Sequence, residues 1–224
     1  MAILRWTFPL DPERSSGSAE ILPAVSDLPL SLPAALDPAY VDAIDPPGKI
    51  AAALESLGPV ADRDVLVVAA AGGPVVRALE LAGARVSHAA LARPLRLEAP
   101  DASVDVVLGL WSAFRGVAGP ELAEVNRVLR PEGRHLVVHE YGRDDVSRLL
   151  AKRPEYGAWS QRTGPFLTGG FRVRVVHCFW EFETPEATSA FLAHVFGEAG
   201  RRVDETLKRP RLSWNVAVYH RSRP

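Results

Sequence analysis

The chain has 224 residues and a mass of 24.3 kDa, which suits one α/β domain with a short appendage and is too little for two full domains. Its 26 basic and 27 acidic side chains leave a net charge of −1, which argues against a dedicated nucleic-acid binder. The sequence has no stretch typical of a signal peptide and no apolar run of membrane-spanning length, so we expect a cytoplasmic protein without a membrane partner.

Two residue counts narrow the classes further. Cys178 is the single cysteine, which excludes an intrachain disulfide and a cysteine-based zinc site, and we predict no metal centre. Lysine occurs three times, so 26 − 3 leaves 23 arginines, a usage typical of a GC-rich bacterial genome. An individual arginine therefore carries less functional weight than usual.

The two ends of the chain differ in charge. Residues 1–50 hold seven acidic residues, three basic residues and eight prolines, so we predict an extended acidic arm over residues 1–48 with one short helix at 33–44. The domain itself is expected over 49–224. The last 24 residues hold seven basic and two acidic residues. We expect this basic region to be a solvated face or to carry the acidic arm.

Short apolar runs alternate with helical periodicity between the two ends, which is typical of βαβ units. In chain order the predicted elements are a strand at 65–70, a helix to about 82, strands at 84–90 and 104–110, a helix at 120–130, strands at 134–140 and 171–182, a helix from 185 to about 207, and a strand at 212–220. The pattern predicts a doubly wound, mostly parallel sheet.

Three phrases of the sequence carry a resemblance to a known family. They are VLVVAAAGG at 65–73, PDASVDVVL at 100–108 and LAEVNRVLRPEGR at 122–134. Over about residues 50–142 the chain resembles the class I S-adenosylmethionine-dependent methyltransferases, particularly the small type 11 group. The resemblance implies a Rossmann-like sheet with an antiparallel last strand. It also implies S-adenosylmethionine as cofactor and methyl transfer to a small molecule.

The resemblance also implies where the cofactor would bind. The positions are the turn after the first strand, the end of the second strand, and a ring near the adenine: Ala69, Ala71, Gly72, Gly73, Ala90 and Trp111. This chain departs from the family pattern at several of them. Ala69 and Ala71 stand in place of glycines, Val67 in place of an acidic residue, and Ala90 in place of the carboxylate that grips the ribose. Loss of one such carboxylate weakens binding by roughly a hundredfold or more.

The segment after Ala90 is short. Val104 follows it by only fourteen positions, and two prolines fall between them, so the usual helix and edge strand of the family do not fit. We therefore predict a sheet that is one strand short. Arg93 stands near the position of the family's adenine-recognising aspartate, which reverses the charge there.

Candidates for chemistry follow the strands. His139 and Tyr141 lie at the predicted carboxyl end of a strand, where ligands of open α/β sheets bind, and they are the candidate catalytic residues. Glu140 must point to the opposite face from His139, so these two cannot act on the same substrate atom. The alternative interpretation of His139 is a hydrogen-bonded histidine at a strand end. The alternative interpretation of Trp111 is a packing residue. His177 and Cys178, in mid-strand, are predicted to be core.

Two further segments attract attention. The aromatic, glycine-rich stretch at 156–170 is typical of a lid or substrate clamp. The stretch at 208–214 combines three cations with Trp214 and suits a phosphate, although the net charge argues against nucleic acid. We expect a shallow cleft between the strands at 65–70 and 104–110.

Two functions remain open at the level of sequence. One is a methyltransferase acting on a small molecule. The other is a non-catalytic relative, a pseudoenzyme, that binds another ligand or a protein partner or serves as an assembly module. The oligomeric state is not predicted.

Overall fold

The computed structural model describes residues 20–21, 41–68, 73–89, 92–93, 96–111, 117–149 and 159–223. The strands are β1 Glu20–Ile21, β2 Asp64–Val68, β3 Arg85–His88, β4 Ala92–Arg93, β5 Val104–Leu110, β6 Leu129–Glu140, β7 Arg172–Glu181 and β8 Arg211–Ser222. The helices are α1 Lys49–Leu57, α2 Pro74–Leu81, α3 Gly119–Val128, α4 Asp145–Leu149, α5 Pro165–Thr168 and α6 Pro185–Asp204.

Six strands form the main sheet, in the order β3-β2-β5-β6-β8-β7. β3, β2, β5 and β6 pair in parallel, whereas β8 is antiparallel to both of its neighbours. Five strands therefore run in one direction and β8 runs against them. The central strand β2 is almost wholly apolar because it is buried on both faces, as parallel strands between helical layers are.

Helices cover both faces of the sheet. The α1 face carries α1, α2, α4 and α6, and its core includes Val65, Val67, Leu108, Leu136 and Val138. The α3 face carries α3 and α5 over Leu66, Val68, Val107 and Val137. Alternate residues of each strand thus enter opposite cores. The crossover after β2 uses α2 and the crossover after β5 uses α3, so the helices change faces between these two neighbouring strands.

The predicted fold class is confirmed. The sheet is doubly wound and mostly parallel, its last strand is antiparallel, and a helix separates the last two strands. Within the described residues β3 has only β2 beside it, as expected for a sheet one strand short. β3 ends at His88, earlier than the predicted end at residue 90, which lies outside the described residues. Residues 69–70, the predicted end of the first strand, also lie outside them.

Parts of the N-terminal segment contact the domain at two places. Glu20–Ile21 pairs antiparallel with Ala92–Arg93, and Ile44 forms a bridge with Trp180 of β7. Residues 41–43 are helical, whereas the rest of the helix predicted at 33–44 lies outside the described residues. The remainder of the arm predicted over 1–48 stays a prediction. Its contact with the basic C-terminal region also stays a prediction.

Helix α6 is broken at Gly197. This residue has φ 56° and ψ −127°, a combination open essentially to glycine. In a straight helix eight residues span about 12 Å, yet a Cβ placed on Gly200 would collide with the carbonyl oxygen of Leu192. The chain therefore folds back on itself after Gly197, and the prediction of one continuous helix is wrong here.

Candidate functional site

The carboxyl ends of β2, β3, β5 and β6 meet at one edge of the sheet, because these four strands are parallel. The helix crossovers change faces between β2 and β5, and open α/β sheets bind their ligands at such a switch point. Of the predicted cofactor residues, Ala69, Ala71, Gly72 and Ala90 lie outside the described residues. Gly73 and Trp111 are described, and both lie at this edge.

Gly73 is the N-cap residue of helix α2, directly before Pro74. It has extended backbone angles, φ −78° and ψ 170°, and its carbonyl accepts a hydrogen bond of 3.0 Å from the amide of Arg77. Pro74 occupies the first helical position, where a missing amide hydrogen costs nothing. From Pro74 to Leu81 the chain is therefore helical, as the sequence predicts.

Trp111 follows β5 and has an unusual backbone. Its φ is +50°, a left-handed conformation that bulky side chains rarely adopt, and its amide donates to the Val138 carbonyl at 3.1 Å. The half-buried indole packs on Trp214 with 5.3 Å between ring centroids. Such backbone strain persists only where the surrounding structure holds it, and it clusters at ligand sites. Trp111 is thus a packing residue that lies directly after the carboxyl end of β5.

His139 and Tyr141 lie together on the α3 face. The His139 side chain is buried, with its ring 5.2 Å from that of Trp159. Tyr141 packs against the same core, and its amide donates to the Asn215 carbonyl at 2.8 Å. Trp111 packs into the α1 face instead, so the structure brings the two candidate catalytic residues together but directs the Trp111 ring to the other side of the sheet.

The aromatic stretch predicted to be a lid packs into the core from Trp159 onward. Phe166 is fully buried, and its ring stacks on Tyr219 with centroids 3.8 Å apart and planes 9° from parallel. Trp159 meets the edge of Phe166 at 6.4 Å. These rings pack on the α3 face next to His139. The side chains of an open lid would not be packed into the core in this way. Residues 151–158 lie outside the described residues.

A buried carboxylate fixes the turn that follows β6. Asp144 is 4% exposed and accepts hydrogen bonds of 2.7 Å from the amide of Ser147 and 2.7 Å from the amide of Asn215. Burial raises the pKa of Asp144, and these two amides oppose the rise because they favour the charged form. The carboxylate caps α4 and holds the turn against β8 at once.

Asp145 makes a second link to the same strand. Its Oδ2 accepts from the amide of Ser213 at 2.9 Å and from the Ser213 hydroxyl at 2.6 Å, while Oδ1 accepts from Arg148 at 2.9 Å. Asn215 extends the network, because its side chain reaches the Gly142 carbonyl at 3.2 Å and the His177 ring at 2.7 Å. This network is not predicted from the sequence, although an aspartate three residues before Ser147 is a recognisable helix cap.

The two mid-strand residues of β7, His177 and Cys178, differ in burial. Cys178 is buried, as predicted, and burial raises the pKa of its thiol. His177 is exposed, so the prediction that it belongs to the core is wrong. The two are neighbours on a strand and point to opposite faces.

The described residues contain no helix long and apolar enough to cross a membrane. Nor do they bring three histidine, cysteine, aspartate or glutamate side chains together in a way that would hold a metal ion.

In the comparisons with known proteins, only solved structures resemble this chain. No family model matches the chain, and no curated protein matches it. A candidate type II methyltransferase from Anaeromyxobacter dehalogenans is 18% identical with a TM-score of 0.46, over 77% of this chain and 95% of that one. A candidate methyltransferase from Bacillus halodurans is 16% identical with a TM-score of 0.45, over 78% and 98%. Geranyl diphosphate methyltransferase, solved with GPP and sinefungin, is 19% identical with a TM-score of 0.43, over 78% of each chain.

The strand order of the chain itself defines its fold. A parallel block β3-β2-β5-β6 is followed by the antiparallel β8 and then by β7 at the edge. The helices change faces between β2 and β5, as the resemblance found in the sequence implies. The chain has a Rossmann-like fold of the methyltransferase type.

Proposed function

We propose that the protein is an S-adenosylmethionine-dependent methyltransferase-like protein that acts on a small molecule. The observation that carries the proposal is the switch point between β2 and β5, with Trp111 held in a left-handed conformation at its rim. A crevice at this place is where open α/β sheets bind nucleotide-like ligands. The indole of Trp111 offers an aromatic surface of the kind on which an adenine stacks.

The described residues fit the cofactor in part. Gly73 and Trp111 would line it, and the bound cofactor supplies an activated methyl group. Val67, at the position where the family has an acidic residue, is wholly buried and offers no polar atom to the cofactor. The chain's own contribution to methyl transfer would be alignment of the substrate. Of the two candidate catalytic residues, the half-buried Tyr141 could orient it, whereas His139 is buried against Trp159.

A second candidate is a non-catalytic protein with the same fold. The observation that favours it is the pairing of Glu20–Ile21 with Ala92–Arg93, which brings arm backbone next to the segment that follows Ala90. The resemblance puts the ribose contact at Ala90. An arm in this neighbourhood suits a cleft that is closed to the cofactor and that serves another ligand or partner.

Calorimetric titration with S-adenosylmethionine and S-adenosylhomocysteine tests the two candidates. The enzyme proposal expects a dissociation constant in the micromolar range. The absence of both binding heat and a shift in melting temperature at millimolar ligand would refute the enzyme proposal. The second candidate would then remain.

Replacement of Ala90 by aspartate sharpens the test. A restored ribose contact should strengthen cofactor binding by about 1.5 kcal/mol or more, which is roughly tenfold. Ala82→Asp is the matched control, because it adds one carboxylate at an exposed position after α2. Equal affinities of the two variants would mean that the cleft does not receive a ribose at this place.

A further inference from the structure

A basic pocket of about 400 Å³ lies between α4 and the loop that joins α6 to β8. Its charged lining residues are Asp145, Arg148, Lys208, Arg209 and Arg211. We propose that this pocket binds the phosphate or diphosphate group of a small molecule. The inference concerns a site apart from the cofactor cleft and stands whether or not the protein transfers methyl groups.

The charge of the pocket is the first argument. Four cationic side chains and one carboxylate give 4 − 1 = +3 in one concavity of a chain whose net charge is −1. The carboxylate is already engaged, because Asp145 accepts from Ser213 with one oxygen and from Arg148 with the other. The remaining positive charge is therefore not balanced from within the pocket.

The pairing of the cations is the second argument. Among the described residues no ion pair within 4 Å reaches Lys208, Arg209 or Arg211, although Glu181 is the cross-strand partner of Arg211. By contrast, Arg201 and Arg202 in the last turn of α6 both lie near Glu198. The lining cations are thus available to a ligand. The cations that lie just before them in the chain have a partner already.

One of the available cations is held in place by a ring. The guanidinium of Arg211 lies 4.5 Å from the centroid of Phe179, and the Lys49 ammonium lies 5.1 Å from the same ring. A guanidinium stacked on an aromatic face keeps its N–H groups in a fixed plane, which suits two-point binding of a phosphate. Arg211 is therefore oriented before any ligand arrives.

Physical chemistry favours a phosphate over a singly charged ligand. The clustered cations repel one another, and their combined positive potential concentrates anions in the pocket. A phosphate ester carries about two negative charges and three acceptor oxygens, which several cations can share. The near-neutral charge of the whole chain favours a small molecule over a nucleic-acid backbone.

The pocket lies at the same edge of the sheet as the predicted cleft. Val216 of β8 pairs with Glu140, the last residue of β6, so Arg211 lies five residues beyond the end of that strand. A ligand anchored by its phosphate would therefore sit beside the turn that Asp144 and Asp145 fasten to β8.

Calorimetric titration of the full chain with inorganic pyrophosphate tests the proposal. The variant is Lys208→Gln/Arg209→Gln, which removes two of the available cations. The control is Arg201→Gln/Arg202→Gln, which removes the same charge from the neighbouring turn of α6. We expect the wild type and the control to bind pyrophosphate alike, and the variant to bind at least about tenfold more weakly, since a hydrogen bond to a charged group contributes 1.5–3 kcal/mol.

Three results would overturn the proposal. They are no binding of pyrophosphate by the wild type, equal weakening in the variant and the control, or tighter binding of a single-stranded oligonucleotide than of pyrophosphate at the same salt concentration. The last result would assign the patch to a nucleic-acid backbone. Pyrophosphate binding needs no S-adenosylmethionine, so this outcome is independent of the cofactor titration.

Discussion

Replacement of His135 tests the buried layer on which the candidate catalytic residues rest. This histidine lies on β6, four residues before His139, and is wholly buried with its ring 5.0 Å from that of Phe171. Burial, with a smaller effect from the Arg221 guanidinium, lowers the pKa of His135 from 6.5 to about 3. The imidazole is therefore neutral in the folded protein over most of the acidic range.

The sign of the effect on stability follows from proton binding. Below pH 6.5 the unfolded chain binds a proton at His135 while the folded chain does not, so acid favours unfolding. The loss approaches about 1.4 kcal/mol per pH unit, or about 2.7 kcal/mol between pH 8 and pH 4.5. That is a large part of the 5–15 kcal/mol by which a typical domain is stable. The lost stability returns as the pH rises towards 6.5, and it is almost fully present above that value.

Urea unfolding at a series of pH values, followed by tryptophan fluorescence, measures this loss. His135→Leu should show a shallower fall in the free energy of unfolding below pH 6.5, by about 1.4 kcal/mol per pH unit. His88→Gln is the matched control, because it also removes one histidine, but an exposed one on β3. Parallel curves for His135→Leu and the wild type would refute the argument.

Two more substitutions test the architecture around the site. Gly200→Ala should destabilise the fold by about 1–3 kcal/mol, because the new methyl group meets the Leu192 carbonyl. An unchanged urea midpoint would contradict the fold-back after Gly197. Asp145→Ala should cost about 1–3 kcal/mol, because it leaves the Ser213 amide without its acceptor. The exposed carboxylate of Glu198 is the comparison for the second test, since Glu198→Ala should cost no more than about 1 kcal/mol. Equal losses for the two carboxylates would show that Asp145 does not fasten the turn.

Local pattern in the sequence was enough for most of the fold. β5 was predicted with its exact bounds because an apolar run between a polar turn and Trp111 has one natural interpretation. Helix α3 was found because Pro120 marks its first turn and its apolar residues recur at helical spacing. The strand order followed from the resemblance and not from the pattern, since pairing across the sheet is not written in any single segment.

Long-range contacts set the limit of what the sequence could predict about the site. The link from Asp145 to Ser213 joins residues 68 positions apart, and nothing near either residue announces the other. The contact between the rings of His139 and Trp159 likewise joins residues 20 positions apart. His177 does not belong to the core because successive side chains of β7 point to opposite faces, and those on the face of His177 are half-buried or exposed.

The short sheet edge at β3 has a consequence for how the protein behaves at high concentration. In the described part of the chain, the strand pairs on one side only, and an open edge is a template on which another copy's strand can add. β3 has only four residues, and the exposed side chains of Arg85, Ser87 and His88 are polar. A brief, charged edge resists such pairing, so the loss of one strand need not make the protein prone to self-association.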